Sequence, residues 1–211
     1  MSFDLQQAYA ILRPHFQERL RLNEPLTAHC AFGVGGPADM WVTLERQREL
    51  IDLVNLCAQH HWPLLLVGGG RNVLFADAGV RGIVARIDFH SYQIDRQTPT
   101  TALFTVEAGA RWPQLLDESL AQGWSGLEFG IGIPGTLGAG IISNAGAHNQ
   151  SLSQILEWIE VLDARGCNIE PEEQFAPAIK RRYSRDELDL SYRHSRFRVE
   201  RSACIDHGGT W

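Results

Sequence analysis

The segment Gly130-Ile-Gly-Ile-Pro-Gly-Thr-Leu-Gly-Ala-Gly-Ile-Ile-Ser-Asn-Ala-Gly146 constrains this chain more than any other stretch. Six of its residues are glycine, interleaved with Ile, Leu and Ala rather than with the polar residues of a linker. Glycine gives up more conformational freedom on folding than any other residue, so such a density costs stability unless the backbone turns at positive φ or closely approaches something. A backbone wall against a flat or phosphorylated ligand meets that requirement. A tight, buried multi-turn loop without a ligand meets it too.

Two other glycine clusters stand upstream. Gly68-Gly69-Gly70-Arg71-Asn72 follows the apolar run Pro63–Val67, which reads as a strand. Consecutive glycines there can turn their N–H groups into one concavity, a nest suited to a pyrophosphate. Arg71 can add charge and Asn72 a side-chain amide; the alternative is a loose turn. No Gly-Lys-Ser/Thr follows, which excludes a P-loop. Ala31-Phe-Gly-Val-Gly-Gly-Pro-Ala38 reads as the turn entering a first strand over 38–44.

Gly130-Ile-Gly132-Ile-Pro-Gly135 matches the dinucleotide spacing GxGxxG, but the surroundings are wrong for it. Trp124–Phe129 is no buried strand, and Pro134 stands where a helix should offer N–H groups to phosphate. More glycine, rather than a helix, is expected to follow.

The remaining pattern is α+β. Leu5, Ala8, Leu12 and Phe16 share one helical face, which Pro14 is expected to kink or split. A helix over about 45–60, strands over 63–67 and 82–87, and a strand over 102–106 follow. Trp112-Pro113 opens a helix that Gly123 closes. Ile155–Asp163 reads as a strand turning at Asp163–Gly166 into a second strand. Lys180-Arg181-Arg182 with Arg185 reads as a solvated loop, and Ser184-x-x-Glu187 as a capping box. The polar stretch after Asp88 divides the chain into subdomains 1–88 and 89–198, with a tail over 199–211.

The net charge of −6 over 211 residues argues against a general nucleic-acid surface. The N-terminal sequence reads as neither signal peptide nor membrane span, so a cytoplasmic location is expected. Cys30, Cys57, Cys167 and Cys204 lack the spacing of a zinc site, and no metal is expected.

Five segments in register resemble one family: Phe32-Gly-Val-Gly-Gly-Pro-Ala, Gly68-Gly-Gly-Arg-Asn-Val-Leu, Gly132-Ile-Pro-Gly-Thr-Leu-Gly, Asn144-Ala-Gly-Ala and Tyr192-Arg-His-Ser-Arg-Phe. Together, over roughly 22–198, they resemble the UDP-N-acetylenolpyruvoylglucosamine reductases, also called UDP-N-acetylmuramate dehydrogenases, of bacterial peptidoglycan synthesis. The resemblance implies the FAD-binding fold of the vanillyl-alcohol-oxidase (PCMH) type, two α+β subdomains with the flavin between them. It implies that Gly68, Gly69, Gly70, Arg71 and Asn72 hold the FAD pyrophosphate. Gly132, Ile133, Pro134, Gly135, Thr136, Gly138, Asn144, Gly146 and Ala147 would line the rest of the cofactor. Arg193 matches the family's catalytic arginine, preceded by Tyr192.

The implied reaction uses NADPH to reduce FAD, which then delivers hydride to the enolpyruvyl double bond of a nucleotide sugar. Arg193 would stabilise the enolate-like charge on the conjugated carboxylate, and an acid would protonate the other carbon.

The sequence also departs from the family pattern. Arg71 replaces a usual Ser, Cys30-Ala31 replace Thr-Thr, and His148-Asn149 replace an aromatic-glycine pair. The family's substrate domain, with a serine proton donor in a Gly-Ser-Phe-Phe-Lys-Asn-Pro-like segment and a later glutamate, has no counterpart here. The sequence therefore reads as a truncated member, with a non-catalytic FAD-binding remnant as the alternative.

Overall fold

The computed structural model describes residues 3–164, 167 and 176–199. These cluster into two compact units, one within Met1–Ile87 and Val161–Arg181, the other within Asp88–Glu160 and Arg182–Val199. The division after Ile87 falls where the sequence turns polar. Val161–Arg181 clusters with the first unit, whereas the sequence pattern assigns all of 89–198 to the second. Polar contacts account for this. Asn55 Oδ1 accepts from the Ala178 N–H at 2.9 Å, and Lys180 donates to Gln47 at 3.0 Å.

The first unit is a four-stranded sheet in the order β1-β2-β4-β3, with β1 (Leu20–Pro25), β2 (Pro37–Leu44), β3 (Leu64–Val67) and β4 (Val80–Ile87). β1 runs antiparallel to β2, while β2 and β3 both run parallel to β4. The short apolar run of β3 suits a parallel strand covered on both faces. The register of β2 against β4 shifts between Ala38 and Met40. Gly82 (φ 101) stands at that shift and donates its N–H to Asp39 at 2.9 Å.

Two helices supply apolar faces to this unit. α1 (Leu5–Phe16) buries Ala8, Leu12 and Phe16, and Asp4 caps it by accepting from the Gln7 N–H. Pro14 does not split α1, which runs unbroken from Leu5 to Phe16. It falls in the last turn, where its missing N–H removes a single intrahelical bond, the one to the Ala10 carbonyl, and Gln17 then leaves the helix at φ 50. α2 (Gln47–His60) buries Leu53, Val54, Cys57 and Ala58 and stops at His61 in a left-handed cap. Burial pushes the Cys57 thiol far up from its ordinary pKa, keeping it neutral.

The second unit has smaller pieces. β5 (Tyr92–Arg96) and β6 (Ala102–Val106) form an antiparallel hairpin. α3 (Trp112–Ala121) follows, with proline in its first turn. α4 (Leu137–Ile142) leads to a tight hairpin of β7 (Gly146–Ala147) and β8 (Gln150–Ser151). Its turn residues His148 and Asn149 both have positive φ, 54° and 62°, the backbone of a type I′ hairpin turn. β9 (Trp158–Asp163) pairs with β10 (Ile179–Ser184), each strand carrying residues assigned to both units, and α5 (Arg196–Val199) closes the described chain.

The strand expected directly after Gly166 lies outside the described residues, as does the tail beyond Val199. Lys180, Arg181 and Arg182 belong to strand β10 rather than to a loop. Arg181 pairs with Asp163 at 2.6 Å, and Arg182 stacks on Trp158 at 4.0 Å. Ser184 and Glu187 do form a capping box. Among the described residues no helix is long and apolar enough to cross a membrane.

Arg19 grips Glu49 with two hydrogen bonds of 2.8 Å, tying the start of β1 to α2. The bond from Arg19 holds the Glu49 carboxyl below its ordinary pKa, outweighing the opposing desolvation. A carboxyl lowered in the folded state stabilises above its unfolded pKa, and that contribution is lost as pH falls through the folded value. Glu49→Gln is therefore expected to cost about 1–3 kcal/mol near neutrality and to flatten the acid limb of stability below about pH 4.5. Denaturant melts across pH check this; an unchanged acid limb contradicts it.

Candidate functional site

In the first unit the connection between adjacent parallel strands β3 and β4 decides the local backbone. Such a connection must carry the chain back along the sheet, usually as a helix. Here residues 68–79 make the return with no helix, as turns and extended chain. Without a helix their backbone groups need partners elsewhere.

Residues 26–36 supply some of those partners. The Ala31 N–H donates to the Gly70 carbonyl at 2.9 Å, and the Gly36 N–H to the Ala76 carbonyl at 2.9 Å. The Cys30 thiol donates to the Val73 carbonyl at 3.0 Å. The strands of chain cross too closely for side chains. A Cβ at Gly70 (φ 64) would fall on the His29 carbonyl, one at Gly36 on the Asp77 carbonyl, and one at Gly79 on the Pro37 carbonyl. Beneath them Leu26, Cys30, Ala38, Trp41, Val67, Phe75 and Val84 form one buried cluster. His29 stacks on Trp41 with ring centroids 3.7 Å apart, and Glu24 lies 2.8 Å from its Nε2.

This lacing holds the loop by its carbonyls and leaves the donors of its first turn unused. Among the described residues no acceptor meets the N–H groups of Gly69, Gly70, Arg71 or Asn72, nor the side chains of Arg71 and Asn72. Gly69, Arg71 and Asn72 are exposed. Phe32 and Leu74, on the two laced segments, are 64% and 65% exposed. A row of free amides, an adjacent cation and uncovered apolar side chains fit a ligand with phosphate and a flat hydrophobic part.

In the second unit the glycine run divides in two. Gly130, Gly138, Gly140 and Gly146 serve close packing within their own chain. Cβ atoms there would meet Trp112, Ala108, the Trp112 Nε1 and the Gln150 carbonyl respectively. Trp112 and Phe129 stand edge to face at 5.6 Å, packed with Ala145 and Leu152. Backbone bonds from Leu137 to Ala110 (2.8 Å) and from Gly138 to Ala108 (2.9 Å) fasten the run to the chain entering α3. Gly132 (φ 77) differs, being exposed with nothing within 4 Å of its Cβ position. Pro134 is also exposed, Ile133 and Gly135 are half-buried, and Thr136 is buried.

The GxGxxG match acquires a reason. A helix does follow it, contrary to the sequence expectation, but α4 has six residues and begins only after Thr136. The segment before the match contains a 3₁₀ turn over Glu128–Gly130 and no strand.

Tyr192 and Arg193 form the tip of a tight turn closed by reciprocal backbone bonds between Ser191 and His194, at 3.2 and 3.1 Å. Arg193 has φ 55, and Tyr192 is 90% exposed. Asn144 is buried and spends its side chain on the protein, donating to the Ser191 carbonyl at 2.9 Å and accepting from the Ser153 N–H at 3.1 Å. Ser195, absent from the sequence-derived site, is fully buried and donates to the Ile142 carbonyl at 2.7 Å. Its place in the Tyr-Arg-x-Ser-x-Phe motif was the available signal.

A family of FAD binding domains matches residues 38–170. The chain belongs to this FAD-binding domain family. It is 31% identical over 195 residues to the UDP-N-acetylenolpyruvoylglucosamine reductase of Heliobacterium modesticaldum, covering 92% of this chain and 57% of that protein. The reductase of Rubrobacter xylanophilus is 35% identical over 178 residues, covering 83% of this chain and 54% of that protein. The crystal structure of the reductase from Thermus caldophilus superposes with a TM-score of 0.62 at 30% identity, over 83% of this chain and 55% of that one. The chain thus spans about half the length of the curated relatives it matches. Its fold is the α+β FAD-binding fold of the vanillyl-alcohol-oxidase type, and the cofactor of this family is FAD.

The glycine geometry separates two roles experimentally. Gly70→Ala combines left-handed backbone strain of about 1–2 kcal/mol with collision against a carbonyl. Gly132→Ala carries the strain alone. Thermal melts should show the larger loss for Gly70→Ala; equal shifts contradict the packing role.

Proposed function

We propose that this chain carries the FAD-binding half of a reductase that uses NADPH to reduce the enolpyruvyl group of UDP-N-acetylglucosamine enolpyruvate, yielding UDP-N-acetylmuramate for peptidoglycan. The observation that supports it most is the loop Gly68–Asn72. Its free amides lie in a chain similar to these reductases over most of its length. Pyrophosphate binding falls to the N–H groups of Gly69, Gly70, Arg71 and Asn72 and to the Arg71 guanidinium. The backbone around Gly132–Gly138 and Gly146–Ala147 lines the rest of the cofactor. Bound FAD would supply the two-electron relay between nicotinamide and substrate.

Arg193 acts on the substrate. A guanidinium beside the carboxylate oxygens stabilises the negative charge that develops when the conjugated double bond accepts hydride. Its exposed position on the turn leaves all its donors available to an incoming carboxylate, and Tyr192 beside it offers an apolar face. The substrates, a nucleotide sugar and NADPH, place the reaction in the cytoplasm.

Purified chain given FAD should turn yellow and quench flavin fluorescence on titration; a chain that takes up no FAD contradicts the proposal. Arg193→Ala should leave FAD affinity unchanged, because this side chain serves the substrate. If UDP-sugar leaves the flavin spectrum of FAD-loaded chain unperturbed, the non-catalytic FAD-binding reading replaces the reductase.

A further inference from the structure

We infer that Asn144 and Ser195 are positioning residues that make Arg193 and the segment Ile142–Ala147 a single mechanical unit, so that a cofactor seated on that segment orders the arginine. The inference rests on the proposed FAD site and extends it.

The tip Tyr192–Arg193 is short and exposed, a poor place to hold a charge in register. Its two ends are nevertheless pinned to one stretch of chain. On the entering side the Ser191 carbonyl accepts from Asn144 Nδ2 at 2.9 Å. On the leaving side Ser195 Oγ donates to the Ile142 carbonyl at 2.7 Å. Asn144 is 5% exposed and Ser195 0% exposed, so water does not compete for either bond. Between the pins, Ser191 and His194 bond each other in both directions. A closed turn with both ends anchored keeps only side-chain torsions at Arg193.

The opposite end of the Asn144 side chain fixes the pin itself. Oδ1 accepts from the Ser153 N–H at 3.1 Å, just past the β7–β8 hairpin. The residue sits at φ 42, where Asn and Gly are favoured and most side chains are strained. With both ends of its amide engaged inside the protein, Asn144 acts as a bracket. Its neighbours Gly146 and Ala147 are the residues assigned to the cofactor, so ordering one end of the bracket orders the other.

Limited trypsin digestion of the purified chain, with and without saturating FAD, tests this, the peptide bond after Arg193 being quantified by mass spectrometry. Cleavage after Arg96, on the separate β5–β6 hairpin, controls for global unfolding. In the unmodified chain FAD should slow cleavage after Arg193 about tenfold relative to Arg96, within the usual range of coupling between sites. Asn144→Asp keeps the acceptor for Ser153 and loses the donor to Ser191; Ser195→Ala loses the other pin. Ser195→Ala should still bind FAD by fluorescence titration, and in each variant that binds it FAD should no longer protect Arg193.

Undiminished protection in both variants overturns the inference, as does absence of protection in an unmodified chain that binds FAD. If the chain binds no FAD at all, the functional reading fails and takes the inference with it. Should Asn144→Asp not fold, Ser195→Ala decides the same comparison.

Discussion

The architecture of the first unit follows from one topological demand, that adjacent parallel strands β3 and β4 be joined without a helix. A helical crossover would consume its own N–H and C=O groups. An extended crossover cannot, so residues 68–79 are held against residues 26–36, with Gly36, Gly70 and Gly79 at the crossings. The contact uses mainly carbonyls of the crossover, and the unused donors cluster at Gly69–Asn72. Folding thus draws on the carbonyls of this peptide strand, and the proposed cofactor recognition on its N–H groups. Loss of the close crossing at Gly70 would disturb both.

The second unit solves a different problem with the same residue. Its glycines let backbone reach the indole of Trp112 and the chain at Ala108, which fixes α4 and the β7–β8 hairpin. Gly132, with its Cβ position open, combines positive φ with exposure, as Gly123 and Gly126 do outside the run. The Tyr192–Arg193 turn is then placed by side chains rather than glycine, through Asn144 and Ser195. A rigid scaffold presenting exposed loop tips is the usual arrangement for functional residues.

What could be read from sequence was local. The strand Leu64–Val67 running into three glycines, the proline-opened helix at Trp112 and the capping box at Ser184 each carry their signal within a few residues. Pro14 misled because its effect depends on its distance from the helix end, which the pattern alone did not fix. The partners of the glycines were hidden as well. The crossing of Gly70 on His29 joins residues far apart in sequence, so composition could say that something approached the backbone but not what. The motif assigned Asn144 to the cofactor, and only the fold reveals that its amide also bonds Ser191 and Ser153 within the protein.

The central claim is that the amides of Gly69, Gly70, Arg71 and Asn72 are donors held ready for the cofactor's phosphates. Residue-resolved amide hydrogen exchange with and without FAD addresses them directly. The account predicts that the exposed amides among them, Gly69, Arg71 and Asn72, exchange freely without FAD, and that all four slow at least about tenfold when it binds. Unchanged exchange at all four in protein saturated with FAD would contradict it.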